Sequence, residues 1–501
     1  MASTFMGLSI AGRGLNAAQV GLATTTNNMS NIDTTGYSRQ VVNQTSIGPA
    51  AVYSSSLVGS GVEVTSVDRV RSFRLDQKYW QENSAASKLE AEATYLEQVE
   101  NVFGSTDTSD ISAALDDFYA SLESLSTDPS DTTARAVVLE DAENLCSILN
   151  EASASLTELR NDINSDVKTT VEQINSYASQ IADLNKQIAV ATASGASANE
   201  LEDQRGILVD ELSGLVGIDV TECEDGSLTI SIEGTNLVSG NKAKELECYT
   251  VTDTSSDQYG MYGIRWADSG QAFDSGDSGA LNGYLEVRDG TSAESKGIPY
   301  YISQLDEFTQ TFAQAFNEGV TSGTTPYSGH ADGTGLDGTS DIRFFSYDDL
   351  SSEELMASGS DTTAIYQNIT AANITVSKDI QEDTNKIAAA SSSGGDDNSE
   401  NLADLISICG DVNISGNATV LDLYNTIVTK VATASANVQA AYNRKNTIAT
   451  YIDTSRSSVS GVSSDEETVK LTTYQSAYDA SAKMVSAWSE LYETTLDMVD
   501  D

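Results

Sequence analysis

The stretch from Val138 to Ile188, VLEDAENLCSILNEASASLTELRNDINSDVKTTVEQINSYASQIADLNKQI, decides the fold. Apolar residues return along it at Val138, Leu145, Leu149, Ala152, Leu156, Leu159, Ile163, Val167, Val171, Ile174, Ala178, Ile181 and Ile188. Steps of three, four and seven residues keep one face of an α-helix apolar. None of the chain's four prolines falls inside the run. Some fifty residues of unbroken helix extend about 75 Å, far beyond the usual helix of a globular domain. The spacing therefore predicts a rod.

Reading outward, Leu89, Leu96, Val99 and Phe103 mark one helix, and Ile111, Leu115, Phe118, Leu122 and Leu125 mark another that stops at Asp128-Pro129. On the other side, a Ser194 to Ser197 hinge leads into an amphipathic helix over Asn199 to Gly214. From about Ile218 to Val287 the pattern turns β-like: Leu228-Thr229-Ile230-Ser231-Ile232 alternates, and Met261 to Trp266 and Leu281 to Val287 read as further strands. Helix returns at Pro299 with Ile302, Leu305, Phe308, Phe312 and Phe316, followed by a Gly- and Asp-rich loop from Gly319 to Asp341. Val420, Tyr424, Ile427, Val431, Ala434, Val438, Ala441, Ile448 and Ile452 then form a second long seam. The expected fold is mainly α with an inserted β domain: a helical-bundle rod built from both halves of the chain, with terminal coiled-coil helices. The expected divisions are 1–60 (assembly helix and arm), 61–215 (rod, N-terminal half), 216–297 (β domain), 298–320 (returning helix), 321–400 (loop-rich connection), 401–460 (rod, C-terminal half) and 461–501 (assembly helix).

Composition removes several functions. Across 501 residues, 75 acids against 26 bases leave a formal charge of −49, a field that repels phosphate backbones and anionic lipid surfaces. We therefore expect neither a nucleic-acid nor a membrane partner. No run of about 18 apolar residues offers a membrane span, and Met1 to Phe5 lacks the basic and apolar parts of a secretory signal. With one histidine, His330, a two-histidine metal site is impossible and any Ser-His-Asp triad would need that single imidazole. Cys146, Cys223, Cys248 and Cys409 contain no C-x-x-C pair; buried free thiols are expected, with a Cys223 to Cys248 bridge as the alternative. Gly59-Ser60-Gly61 lacks the third glycine of a phosphate loop, and the loop from Gly329 to Gly338 has Thr334 and Leu336 where an EF-hand needs oxygen ligands. No catalytic residue, cofactor or metal is expected.

The two ends stand apart. The first 60 residues carry only Arg13, Asp33 and Arg39 as charges, while Leu8, Leu15, Leu22 and Met29 recur every seven residues beside Ala11, Ala18, Thr25 and Ile32. Gly7, Gly12, Gly14 and Gly21 each cost this helix about 1 kcal/mol relative to alanine, so it should not hold shape alone. At the other end Leu471, Tyr478, Val485, Tyr492 and Val499 repeat every seven residues beside Tyr474 and Trp488. The terminal helices are expected to pair and to gain further partners from neighbouring subunits. The expected assembly interface is Leu8, Leu15, Leu22, Met29, Tyr474, Tyr478, Val485, Trp488 and Tyr492.

Six segments then carry a family resemblance. The run Asn27-Asn28-Met29-Ser30-Asn31-Ile32-Asp33-Thr34-Thr35-Gly36-Tyr37-Ser38-Arg39-Gln40 resembles the N-N-I-A-N-x-x-T-P-G-Y-S-R-Q signature of the flagellar axial proteins, in the hook-associated protein 1 branch; hook and rod proteins usually have Lys after the Tyr. Thr35 stands where that family usually has Pro, and Met29 where it has Ile. Asn199-Glu200-Leu201-Glu202-Asp203-Gln204-Arg205 is similar to its N-x-L-x-D-Q-R helix, and Phe316-Asn317 with Phe344-Phe345 to its F-N and F-F segments. Near the end, Ser460-Gly461-Val462-Ser463-Ser464-Asp465-Glu466-Glu467 and Tyr474 to Lys483 resemble S-G-V-x-x-D-E-E and Y-Q-x-A-Y-x-A-S-A-K. The resemblance implies a structural adaptor between flagellar hook and filament, exported unfolded by the flagellar type III route and residing outside the cell. Its implied partners are copies of itself in a ring, the hook protein, the second junction protein, and an export chaperone that grips the helix around Leu471 to Val499. The alternatives are another axial protein, which Tyr37-Ser38-Arg39 and the D-Q-R helix oppose, and an adhesin or hydrolase displayed in the inserted domain.

Overall fold

The computed structural model describes residues 6–48, 51–53, 56–104, 111–391, 395 and 397–500, and excludes the side chains of 51–58, 497, 499 and 500. Met1 to Phe5 and the Val499 side chain, both used above, thus lie outside the described residues.

The chain begins with α1 (Met6–Ser30) and a two-stranded arm, in which β1 (Gln40–Ser46) pairs antiparallel with β4 (Val62–Arg69) and the tip carries β2 (Ala51–Tyr53) and β3 (Ser56–Val58). The expected division at residue 60 falls inside this arm, because Val62 to Arg69 finds its backbone partners on Gln40 to Ser46. The rod follows: α2 (Phe73–Phe103), α3 (Ile111–Thr127), α4 (Thr132–Ala193) and α5 (Asn199–Leu215). Helix α4 spans 62 residues, about 93 Å at 1.5 Å per residue. Asp131 caps it by accepting from the Thr133 N–H at 2.8 Å. All thirteen apolar positions read from Val138 to Ile188 are buried. That stripe meets α3 at one end, α7 (Ile298–Glu318) and α2 further on, and α5, α6 (Ala280–Asp289) and the β strands beyond.

The inserted sheet has the order β5 (Asp219–Glu222), β6 (Leu228–Ile232), β7 (Thr235–Ser239), β8 (Lys242–Ala243), all antiparallel, followed by the hairpin β9 (Leu246–Thr250) and β10 (Tyr262–Trp266). The strand expected over Leu281 to Val287 is instead part of helix α6 (Ala280–Asp289). Leu281, Asn282, Gly283, Val287 and Arg288 are buried on it, and Gly283 sits against the Lys88 carbonyl of α2 where a Cβ would come within 2.5 Å. The short apolar run favoured neither period, and packing on α2 selected the helix. All four cysteines are free thiols, but of the burial expected only Cys146 shows it: Cys223 is exposed and Cys248 and Cys409 are half-buried.

Helix α7 (Ile298–Glu318), started by a proline in its first turn, returns to the rod. The connection beyond it holds β11 (Val320–Ser322), β12 (Thr325–Tyr327), β13 (Phe345–Tyr347), α8 (Ser352–Ala357), α9 (Thr362–Tyr366), β14 (Ile374–Val376), α10 (Lys378–Glu382) and α11 (Glu400–Gly410). An aromatic core organises this end: Phe118 lies 5.4 Å from Phe316 and 5.8 Å from both Phe344 and Phe345, ring centre to ring centre. Asn317 fixes the arrangement, accepting from the Phe344 and Phe345 N–H groups at 2.8 and 3.0 Å and donating to the Phe345 carbonyl at 2.7 Å. The F-N and F-F segments are thus the two halves of one buried unit. Helix α12 (Val420–Ser460) runs back along α2, and α13 (Ser464–Asp500) returns along α1. The α12 seam buries Val420, Tyr424, Ile427, Val431 and Ala449, whereas Ile448, expected in it, is 44% exposed; Lys445 reaches Glu82 of α2 at 2.8 Å and sets that end of the pairing by charge.

His330 is fully buried. Its Nδ1 lies 2.7 Å from the Ile342 carbonyl and its Nε2 accepts from the Ala388 N–H at 2.9 Å, an arrangement that suits only the neutral imidazole. Burial pushes its pKa down to about 4, assisted by the charges of Arg135 and Arg343. The unfolded imidazole takes a proton near pH 6.5, so between these values the unfolded state binds more protons and stability falls on acidification. Urea titrations between pH 7 and 4 should show a loss of up to about 3 kcal/mol from this group; a His330→Asn variant, with no proton to gain there, should show a shallower pH dependence than the wild type.

Candidate assembly interface

Helices α1 and α13 form an antiparallel pair whose register is read from the glycines. A Cβ on Gly7 would come within 2.3 Å of the Trp488 ring, one on Gly14 within 3.0 Å of the Ser481 hydroxyl, and one on Gly21 within 2.5 Å of the Tyr474 ring. One layer on, Asn28 donates to Glu467 Oε2 at 3.0 Å. Each step moves seven residues forward on α1 and seven back on α13, which is a coiled-coil repeat. Between these layers Ala11, Ala18 and Thr25 are buried on α1. The surface of α1 that meets α13 is therefore made of glycine and other small residues, and α13 supplies the bulk.

Leu8, Leu15, Leu22 and Met29 lie one position round the helix from these glycines and are half-buried. They flank the seam instead of filling it, a correction to the leucine seam read from the sequence. Leucines dominated the periodic signal, yet glycines share the period and allow the closer approach. On α13, Tyr474, Tyr478, Val485, Trp488 and Tyr492 are half-buried toward α1, with Trp488 and Tyr492 stacked at 6.0 Å. Val469, Met484, Leu491, Leu496 and Met498 are exposed on its other faces.

The coil is bolted to the rod by a polar joint. Asn28, fully buried, accepts at Oδ1 from the Gln40 N–H at 2.9 Å and from the Tyr37 hydroxyl at 2.8 Å, and donates to the Gln40 carbonyl at 2.9 Å and to Glu467. Burial, with the charges of Glu200, Asp203 and Glu467, pushes the Tyr37 phenol up to about 12, so it stays a donor. Ser38 donates through its N–H and hydroxyl to the two oxygens of Asp203 at 2.8 and 2.7 Å, and Arg69 of the arm reaches Asp203 at 3.2 Å and Glu202 at 2.5 Å. The Arg39 N–H donates to the Ser460 carbonyl at 2.8 Å, and its guanidinium pairs with Glu466 at 3.2 Å. Gly36 needs to be glycine twice over: its φ is +77°, and a Cβ would meet Ile207 of α5 at 2.5 Å. Asn31 braces the preceding turn through Asn27, donating to its carbonyl at 3.0 Å, while Asn27 reaches Glu200 at 3.4 Å.

Two further motif residues act below the joint. Arg205, 1% exposed, donates to Asn185 of α4 at 2.8 Å and to the Gly226 carbonyl at 2.7 Å, tying α5 to the long helix and to the β domain. Burial lowers its pKa to about 10, which leaves it charged at neutral pH. Gly461 ends α12, and Glu467, fully buried beside Lys470 at 2.7 Å, lies in the first turn of α13, where carboxylates are favoured. Gln204 and Asp465 are exposed, and Val462 is half-buried; the structure shows no polar partner for the first two among the described residues. Gln40 closes the quoted signature, but Arg69, and Glu200 and Glu202 at the unspecified positions of the N-x-L-x-D-Q-R helix, were missed as members of this joint. The signal for Arg69 and Glu202, a base ending one strand and an acid opening one helix, is too common to single out.

No group of three metal-ligating side chains occurs among the described residues, and none of the described helices is long and apolar enough to cross a membrane. The arrangement is one of packing and joining. Comparison with known proteins agrees. Residues 96–345 match the model of the flagellar hook-associated protein FlgK helical domain, residues 8–37 that of the flagella basal body rod protein, and residues 455–498 that of the flagellar basal body rod FlgEFG protein C-terminal region. The chain is 32% identical to flagellar hook-associated protein 1 of Bacillus subtilis over 99% of both chains, and 25% identical to that of Salmonella typhimurium over 97% of this chain and 98% of the relative. A solved structure titled as the flagellar hook junction protein FlgK from Burkholderia pseudomallei shares the fold, with a TM-score of 0.58 and 18% identity, covering 78% of this chain and all of that one.

The glycine register separates two substitutions on one helix. Gly21→Leu should force α1 and α13 apart, read as faster amide exchange along α13, whereas Gly12→Ala, which meets nothing within 4 Å, should slow it by stabilising α1 about 1 kcal/mol.

Proposed function

The chain belongs to the flagellar hook-associated protein 1 family, and we propose that it forms the ring joining hook to filament, contacting its own copies through the outer faces of α1 and α13. As a family member it is a structural component of the bacterial flagellum at the hook–filament junction, acting within the axial assembly. Its relatives are named for structure and assembly and for no reaction, which fits a part that works by shape.

One observation carries the ring reading. Leu8, Leu15, Leu22 and Met29 are half-buried, and Met484, Leu491 and Met498 are exposed at seven-residue intervals, so a two-helix coil leaves apolar stripes on both its members. Stripes of this length call for further helices. Copies of the same chain would supply them laterally, with the hook protein below and the second junction protein above. Residues 8–37 and 455–498 resemble rod proteins, which supports a shared mode of stacking with the rest of the axis. Before assembly, the same exposed stripe of Met484, Leu491 and Met498 suits an export chaperone, and passage through the flagellar type III channel would place the protein outside the cell.

Cells lacking the protein should make hooks without filaments, seen by electron microscopy, and the wild-type chain should restore filaments. Leu491→Asp, which puts a charge into the exposed stripe of α13, should fail to restore them while the purified rod keeps its melting temperature. Filaments at normal number with Leu491→Asp would remove the outer face of α13 from the contact.

A further inference from the structure

Between α2, α4, α5 and α6 lies an open cleft of about 570 Å³. Three tyrosines, Tyr79, Tyr95 and Tyr284, and the carboxylates of Glu90, Asp166, Asp210 and Glu211 line it; the one base at its edge is Arg456, which pairs with Asp210 at 2.8 Å and leaves the other three carboxylates without a basic partner among the described residues. All three phenols are held above their ordinary pKa, first by burial and then by adjacent carboxylates, so they stay uncharged, and the negative charge of the cleft is that of its carboxylates. Aromatic faces beside carboxylates select an organic cation, a guanidinium above all. The cleft wall already shows such a contact: the Arg456 guanidinium lies 4.2 Å from the centre of the Tyr79 ring.

A matching feature sits across the rod at the same height. Tyr442 of α12 points inward, donating to Glu90 at the cleft's edge at 3.0 Å. At 100° per residue, Arg444, Ile448 and Tyr451 lie about 200°, 240° and 180° round α12 from Tyr442, on the face turned away from the cleft. All three are exposed, Tyr451 by 72% and Ile448 by 44%. Arg444 has no hydrogen bond or ion pair among the described residues, unlike its neighbour Lys445, which reaches Glu82. Since α12 and α2 run antiparallel, with Lys445 opposite Glu82 and Arg456 opposite Asp76, this stripe stands level with the Tyr79 to Asn83 end of the cleft.

We propose that the cleft receives the Arg444 guanidinium of a neighbouring copy, with that copy's Ile448 and Tyr451 closing over the tyrosine rim. Two different surfaces on opposite sides of one rod, at one level, make a head-to-tail contact, the kind that closes into a ring by rotation. In a chain with a charge of −49, identical copies repel except where a base of one meets acids of the next, so such a pair also fixes the rotational register. The contact rests on the ring reading above and adds a lateral bond in the rod, separate from the terminal coils.

Arg444 and Glu211 are both exposed, so substitutions there spare the monomer's fold, checked by its melting temperature. In flagella isolated from a Cys223→Ser background, Arg444→Cys combined with Glu211→Cys should give an oxidant-dependent ladder of covalent oligomers, with only a dimer at most from either alone. Arg444→Glu should reduce swimming by roughly half or more, and adding Glu211→Arg should recover it. No ladder from the double-cysteine chain once incorporated, or full swimming with Arg444→Glu, would overturn the contact and leave the junction role intact. Absence of the wild-type chain from isolated hook–filament preparations would overturn the junction role itself, and this contact with it.

Discussion

The buried hydrogen bond from Asn28 to Glu467 joins residues 439 positions apart, and the rest of the molecule is arranged so that it can form. It is at once the last layer of the terminal coil and the first member of the polar joint. A carboxylate with no exposure is costly unless paired, and here Asn28 and Lys470 both attend it. Asn28 in turn uses its remaining capacity on Tyr37 and Gln40. Removing either partner strands several buried groups together, which makes the joint a unit and not a sum of contacts.

From that unit the load passes into the rod in two directions. Ser38 and Asp203 carry it into α5, and Arg205 carries it on to α4 and the β domain. The Arg39 N–H hands the arm to the end of α12, and Arg456 ties α12 to Asp76 of α2 and Asp210 of α5. The rod itself needs little of this: its apolar stripe along α4 is buried and continuous. Charge is spent where elements distant in sequence must meet at a fixed angle, and apolar area where they merely lie side by side.

The sequence showed the rod plainly, because a periodic stripe of thirteen positions leaves few other structures open to it. It also showed which residues are special around Asn28, Gly36 to Arg39, Asp203 to Arg205 and Glu467, through their resemblance to a family, but not what they touch. Asn28 and Glu467, Ser38 and Asp203 are pairs that only the tertiary structure brings together. Two readings went astray for the same reason. Leu281 to Val287 and the leucine stripe of α1 were judged by their own apolar residues, whereas the outcome was set by small residues, Gly283 in one case and Gly7, Gly14 and Gly21 in the other, that let a neighbour come close. Glycine contributes no apolar signal, so an approach it permits is silent in a hydrophobicity pattern.

The pairing of the first helix with the last has a consequence for the order of events as the chain folds. Every other packing unit is built from segments that can meet without the chain's extremities, whereas the coil must close a loop of almost the full length of the polypeptide. Loop closure on that scale is slow but its entropic penalty grows only logarithmically, and a preformed rod shortens the effective gap by bringing α2 and α12, the neighbours of the two ends in sequence, side by side. The tip should therefore be the last part to consolidate and the first to open, a zipper whose pull tab is the end of α13.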